Sequence, residues 1–133
     1  DVDKDADGSC MMVVITDAPL TSRNLERLAK RAMMGLAKTG GIASNGSGDY
    51  VIALSVAKEN LIDEKTPFYS PVELHNHSMS SLFLATIEAT EEALINSLFA
   101  AKTTKGFNGR VVEELPKEIV VKEIKRALTR GSY

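Results

Sequence analysis

The chain has 133 residues, a formal net charge of −2, 44% hydrophobic residues and 26% charged residues, which suits one globular domain with a real core and not two. The slight negative charge, the lack of any basic run, and an aromatic share of 5% with no Trp argue against a nucleic-acid surface or a base-stacking platform. Cys10 is the single cysteine, so no internal disulfide forms, and no run is apolar and long enough to span a bilayer.

Residues 1–8 are acidic and polar and read as a solvated tail of an upstream segment. Their aspartates, Asp1, Asp3, Asp5 and Asp7 before Gly8, imitate a calcium loop. Counted from Asp3, however, the twelfth position, which needs a bidentate glutamate, is Val14. Residues 10–16, rich in Met, Val and Ile without polar alternation, predict a strand buried on both faces. Asp17-Ala18-Pro19 ends it, and Thr21 or Ser22 offers a helix N-cap. Leu25, Leu28, Ala29, Ala32 and Leu36 follow at helical spacing, with Arg23, Glu26, Lys30 and Arg31 largely on other faces and Met33 and Met34 as core filler. Gly40-Gly41 closes the helix, where a left-handed residue is expected.

Residues 42–48 form a glycine-rich turn region, and residues 50–57 read as a second buried strand, giving a strand-helix-turn-strand unit. The polar connection 58–71, with Pro67 and Pro71, predicts an exposed loop able to border a substrate cleft. Residues 79–102 predict the longest helix. Apolar residues cover much of its circumference, so burial is expected on most sides. Gly106-Phe107-Asn108-Gly109 reads as a loop, Pro116 as the first turn of a last helix over 117–128, and 130–133 as a frayed end.

The junction Gly8-Ser9 carries the chemical interest. Gly-Ser before a strand is commonly only a turn. It also fits a self-cleaving precursor: Gly8 leaves its carbonyl open to approach, and the Ser9 hydroxyl follows immediately. Attack would convert the peptide bond to an ester, and hydrolysis would free Ser9 as a new N-terminus. Its α-amine, with a reference pKa of ~7.7–8.0, can serve as the base for its own hydroxyl. Cys10 is a rival nucleophile, since thiolates are intrinsically better, but glycine precedes Ser9. Asn45-Gly46-Ser47-Gly48-Asp49 is a second polar cluster, by default a loop with a solvated aspartate. His75-Asn76-His77 has weak spacing for a metal and reads as a loop leading into the helix.

Gly8-Ser9, Thr16-Asp17-Ala18-Pro19-Leu20, Leu28-Ala29-Lys30-Arg31-Ala32, Gly35-Leu36-Ala37, Thr39-Gly40 and Asn45-Gly46-Ser47-Gly48-Asp49 occur in this order. Met79-Ser80-Ser81-Leu82-Phe83-Leu84-Ala85 and Glu88-Ala89-Thr90-Glu91-Glu92-Ala93 follow them. Over residues 8–116 the set resembles the DmpA/BapA-type self-processing aminopeptidases, peptidase family S58. The resemblance implies an α+β fold, an αββα sandwich of the DmpA/ornithine acetyltransferase type (Ntn-hydrolase-like), of which residues 9–133 are the C-terminal, nucleophile-bearing part of a single catalytic domain.

It further implies cleavage at Gly8-Ser9, with Ser9 as nucleophile and Ser47 hydrogen-bonded to it or to its amine. Asp49 would orient Ser47 and hold the ammonium form of that amine. The oxyanion donors, an Asn side chain and a neighbouring Tyr, would come from the upstream chain of the same precursor, which is therefore an expected partner. A short peptide or amide substrate, an assembly of heterodimers into a larger homo-oligomer, no cofactor or metal, and a cytoplasmic location, with the periplasm as alternative, complete the expectation. Two other readings stand beside it: an acyltransferase of the ornithine acetyltransferase type, whose nucleophile is Thr, and an uncleaved, non-catalytic relative. Nothing selects among L-, D- and β-residue substrates.

Overall fold

The computed structural model describes residues 8–130; the tail reading for residues 1–7 and the frayed end at 131–133 lie outside them. The described chain divides into two compact units between Glu92 and Ala93.

In the first unit, β1 (Met11–Thr16) leads through α1 (Ser22–Lys38) to β2 (Tyr50–Ser55), a βαβ unit. The strands pair in parallel, Met11 opposite Tyr50 through Thr16 opposite Ser55. Parallel pairing needs a crossover of a dozen or more residues, which α1 and the turn after it provide. The helix forms as its apolar spacing predicts, burying Leu28, Ala32 and Leu36, and packs against both strands. It stops at Thr39, whose N–H and that of Gly40 close on Leu36 and Ala37 carbonyls. Gly40 then takes φ +97°, a backbone conformation that a side chain opposes.

The strands are not buried on both faces. Met12, Val14 and Thr16 on β1 and Val51, Ala53 and Ser55 on β2 face inward, while the alternate positions are exposed. The register brings Met11, Val13 and Ile15 alongside Tyr50, Ile52 and Leu54, and these six are between 37% and 64% exposed. The expectation of burial on both faces is therefore not met. Among the described residues only one face has a cover.

α2 (Met79–Ala100) meets α1 closely. A Cβ on Gly35 would stand 2.6 Å from Thr90 Cβ and 2.7 Å from the Ile87 carbonyl oxygen. Leu20, Leu28 and Met79 form a small core with Leu25, Leu74, Leu82 and Phe83 around it. Burial of α2 is thinner than its composition suggests. Only Met79 and Thr86 are fully buried, and Leu84, Ile95 and Leu98 are exposed. Met34 is likewise exposed and fills no core. Arg31, expected on a solvated face, is half-buried with its guanidinium 4.0 Å from the Phe83 ring centre, a cation–π contact.

Thr21 sits at the N-cap position of α1 without capping it. Its hydroxyl instead donates to Glu73 Oε1 at 2.5 Å, and the same oxygen accepts from Asn24 Nδ2 at 2.8 Å. Asn24, buried to 2% exposure, accepts in turn from Arg27 Nη1 at 2.8 Å, which also donates to Asn76 Oδ1 at 2.7 Å. This chain of bonds ties the segment before α2 to the start of α1. The exposed 58–71 connection carries a short 3-10 turn, Lys58–Asn60. With Tyr69 and Pro71 beside Leu54, Ser55 and Thr21, it lies at the C-terminal ends of the strands.

In the second unit, the loop read at Gly106-Phe107-Asn108-Gly109 joins the two short strands of a hairpin, β3 (Thr104–Lys105) antiparallel to β4 (Val111–Val112). Asn108 and Gly109 turn it with positive φ. The last helix, α3 (Lys117–Arg130), follows Pro116. Its apolar residues Ile119 and Ile124 are exposed.

Two outcomes follow for the full-length protein. Gly35→Ala forces a Cβ into Thr90 and the α2 backbone, and overpacking of this kind costs about 1–3 kcal/mol, read as a lower denaturation midpoint. The Thr21 hydroxyl holds the Glu73 carboxyl below its ordinary value, outweighing the opposing effect of burial. A lowered folded-state pKa gives stability that is complete above the ordinary carboxylate pKa of about 4.3 and is lost as pH falls through the lowered value. Glu73→Gln should therefore lower the melting temperature at pH 7, with the difference from wild type shrinking below about pH 4.

Candidate active site

Because β1 and β2 run parallel, the residues just before each strand meet at the same end of the sheet. Ser9 precedes β1, and Ser47, Gly48 and Asp49 precede β2, so a sequence separation of about forty residues closes into one cluster. The contact is made largely by the backbone. The Cys10 N–H donates to Asp49 Oδ1 at 2.7 Å, and the Tyr50 N–H donates to the Cys10 carbonyl at 3.2 Å, so the ladder runs one step beyond the strands.

The Ser47 hydroxyl donates to the other Asp49 oxygen, Oδ2. The Gly48 N–H donates to Ser9 Oγ at 3.0 Å. A turn closed by the Ser47 N–H on the Ser44 carbonyl at 2.9 Å shapes the loop. Asp49 thus bridges the backbone after Ser9 to the side chain of Ser47. With its proton committed to the carboxylate, the Ser47 oxygen presents lone pairs to the space around it. Ser9 is exposed, and Ser47 and Asp49 are half-buried.

The sequence expectation placed Asp49 as holder of an ammonium on Ser9. In the continuous chain its oxygens receive the Cys10 amide and the Ser47 hydroxyl. Cys10, the rival nucleophile, is half-buried at the head of β1.

A cleft of about 450 Å³ opens beside Ser9, lined also by Cys10, Leu36, Gly41, Ile42, Ala43 and Asp49. Its walls are mainly apolar, with Asp49 the one carboxylate lining it among the described residues. The 58–71 loop, expected beside the cleft, lies at the opposite ends of the strands. No group of three or more His, Cys, Asp or Glu residues among the described residues is arranged to hold a metal. His75 and His77 stack at 4.8 Å where the chain turns into α2.

Two contacts were not foreseen from sequence: the Gly48 amide on Ser9 Oγ, and the Cys10 amide on Asp49. Backbone donors carry no residue-type signal. The glycine at position 48, between Ser47 and Asp49, was the one visible trace.

Ser9 just before β1 lies beside Ser47 and Asp49 just before β2, in a fold of the Ntn-hydrolase-like family. The chain has a TM-score of 0.77 and 44% identity to the PH0078 protein of Pyrococcus horikoshii OT3, covering 86% of this chain and 33% of that one. It has a TM-score of 0.75 and 28% identity to the L-aminopeptidase D-Ala-esterase/amidase of Ochrobactrum anthropi, described as a prototype of the serine aminopeptidases and a variant of the Ntn hydrolase fold, covering 86% and 33%. The model of Peptidase family S58 matches residues 1–112, and the chain belongs to that family, with the DmpA/BapA-type self-processing aminopeptidases as its homologues. A β-peptidyl aminopeptidase BapA from Sphingosinicella microcystinivorans is 42% identical over 110 residues, 83% of this chain and 28% of the relative. The chain therefore spans about a third of the length of the relatives it matches.

Removal of the bridge is directly measurable. Asp49→Ala leaves the Cys10 amide and the Ser47 hydroxyl without their acceptor, which for half-buried groups costs about 1–3 kcal/mol. In the full-length protein the expected result is a lowered denaturation midpoint. Faster amide exchange at Cys10 would locate the loss.

Proposed function

We propose that this chain is the nucleophile-bearing part of a self-processing serine aminopeptidase/amidase, in an αββα sandwich of the DmpA/ornithine acetyltransferase type. The observation that carries the reading is the held geometry of Ser9, the residue after Gly8: its Oγ accepts the Gly48 amide, with Ser47 and Asp49 alongside.

In the first step the Ser9 Oγ attacks the Gly8 carbonyl carbon, the bond from that carbon to the Ser9 nitrogen breaks, and the nitrogen takes up the proton. Water then hydrolyses the ester, releasing the Gly8 carboxylate and restoring the hydroxyl. The new α-amine accepts the Oγ proton when Ser9 attacks a substrate amide. The leaving amine of the substrate departs protonated, and water hydrolyses the acyl group from Oγ. Ser47, its own proton bound to Asp49, accepts a hydrogen bond from the Ser9 amine or hydroxyl and so keeps the amine oriented. Asp49 balances the ammonium charge through Ser47.

Donors for the oxyanion are supplied, in this reading, by the upstream part of the same precursor. The uncovered sheet face supports such a partner. Six apolar side chains on a two-stranded sheet form a patch that soluble proteins normally cover, and a second sheet laid on it would complete the sandwich. Short peptides or amides with an uncharged terminal side chain suit the apolar cleft. The wider assembly would be a homo-oligomer of such pairs, working in the cytoplasm or periplasm without a cofactor.

The test is hydrolysis of a panel of L-, D- and β-amino-acid p-nitroanilides by the full-length protein, with quenched samples examined by mass spectrometry for an acyl group on Ser9. Ser9→Ala should abolish turnover, and Ser47→Ala should lower kcat by about two orders of magnitude, the usual range for lost proton-transfer assistance. Full activity in Ser9→Ala would remove Ser9 from the reaction. Transfer of the acyl group to ornithine in preference to water would favour the acyltransferase reading.

A further inference from the structure

We infer that the Gly48 backbone amide is a catalytic hydrogen-bond donor to Ser9 Oγ, and that its effect falls on the steps in which that oxygen leaves an acyl carbon. This rests on the reading of Ser9 as nucleophile. Two observations carry it. The Gly48 N–H donates to Oγ at 3.0 Å. A Cβ built on Gly48 would stand 3.2 Å from Ser9 Oγ and 3.8 Å from Ser9 Cβ, with no other described residue beyond its chain neighbours within 4 Å. The loop carrying this amide is held on both sides: Ser47 by its turn bond to Ser44 and by its hydroxyl on Asp49, and Asp49 and Tyr50 by their bonds to Cys10. The donor is therefore set in place before reaction, and no reorganisation is needed when charge develops.

The chemistry separates the two halves of the cycle. When Oγ attacks a carbonyl, a donor on it favours loss of the hydroxyl proton but also occupies a lone pair and weakens the nucleophile, so the two effects oppose. When the ester breaks down, water adds to the acyl carbon and the bond from that carbon to Oγ breaks. The electron pair then returns to Oγ, which takes up a proton. Negative charge grows on Oγ in that step, and the amide stabilises it without an opposing term. The same holds for the ester from the Gly8–Ser9 bond and for each acyl group drawn from substrate.

Gly48→Ala in the full-length protein crowds this contact: among the described residues beyond its chain neighbours the added methyl meets Ser9 alone, and no left-handed φ is required at this position. With a p-nitroanilide that wild type turns over, the variant should still release the first equivalent of nitroaniline. Its steady-state rate should fall on the order of tenfold, the scale of one charge-assisted hydrogen bond, and acyl-Ser9 should accumulate in quenched samples. Equal loss from both steps, or no loss from either, overturns the inference.

Hydrogen exchange at the Gly48 amide supplies a second reading that does not depend on the variant's folding. Exchange should be slower in wild type than in Ser9→Ala, which lacks the acceptor, and equal rates overturn the contact. A wild-type protein that never carries an acyl group on Ser9 overturns the aminopeptidase reading, and this inference with it. Normal acylation with an unaltered deacylation rate in Gly48→Ala overturns this inference alone.

Discussion

Parallel pairing of β1 with β2 places two chain segments, far apart in sequence, at one edge of a sheet. The Met11–Tyr50 register sets which residues meet there. It puts Cys10 beside Asp49, and therefore Ser9 beside Gly48. A slip of one residue would turn every side chain of a strand to the opposite face, burying Tyr50 and Ile52 against α1 and carrying Asp49 away from the Cys10 amide. α1 enforces the register through the inward positions Met12, Val14, Val51 and Ala53, and its packing on α2 is in turn limited by Gly35. The geometry around Ser9 thus depends on a helix that contributes no polar group to it.

The polar part of the cluster is economical. One carboxylate accepts a backbone amide from the strand that carries Ser9 and a hydroxyl from the strand beside it. That arrangement fixes the loop 44–49 from both ends and aims the Gly48 amide. It also decides the roles open to Ser47, whose proton is committed to Asp49.

Much of this was legible beforehand. The 3.6-residue spacing of Leu25, Leu28, Ala32 and Leu36 located α1, Gly40 marked its end, and the two apolar runs located the strands. The cluster of Ser9, Ser47 and Asp49 was readable through the family resemblance, since nothing in the spacing of those three residues says that they meet. The exposed sheet face was not readable. Apolar residues on both sides of a strand state that burial is required without saying which part of a protein supplies it. The backbone contacts of Cys10 and Gly48 were also beyond reach, because every residue but proline has an amide. The Thr21–Glu73–Asn24 chain was missed because threonine before a helix suggests a cap, and a carboxylate from fifty residues away competed successfully for the hydroxyl.

The central claim is that Ser9 is made an N-terminus by cleavage of the bond before it. Intact mass and N-terminal sequencing of the purified full-length protein test this most directly. The account predicts two chains, one of them beginning at Ser9, and a single chain in the Ser9→Ala variant. An undivided wild-type protein that nonetheless hydrolyses amides would contradict it.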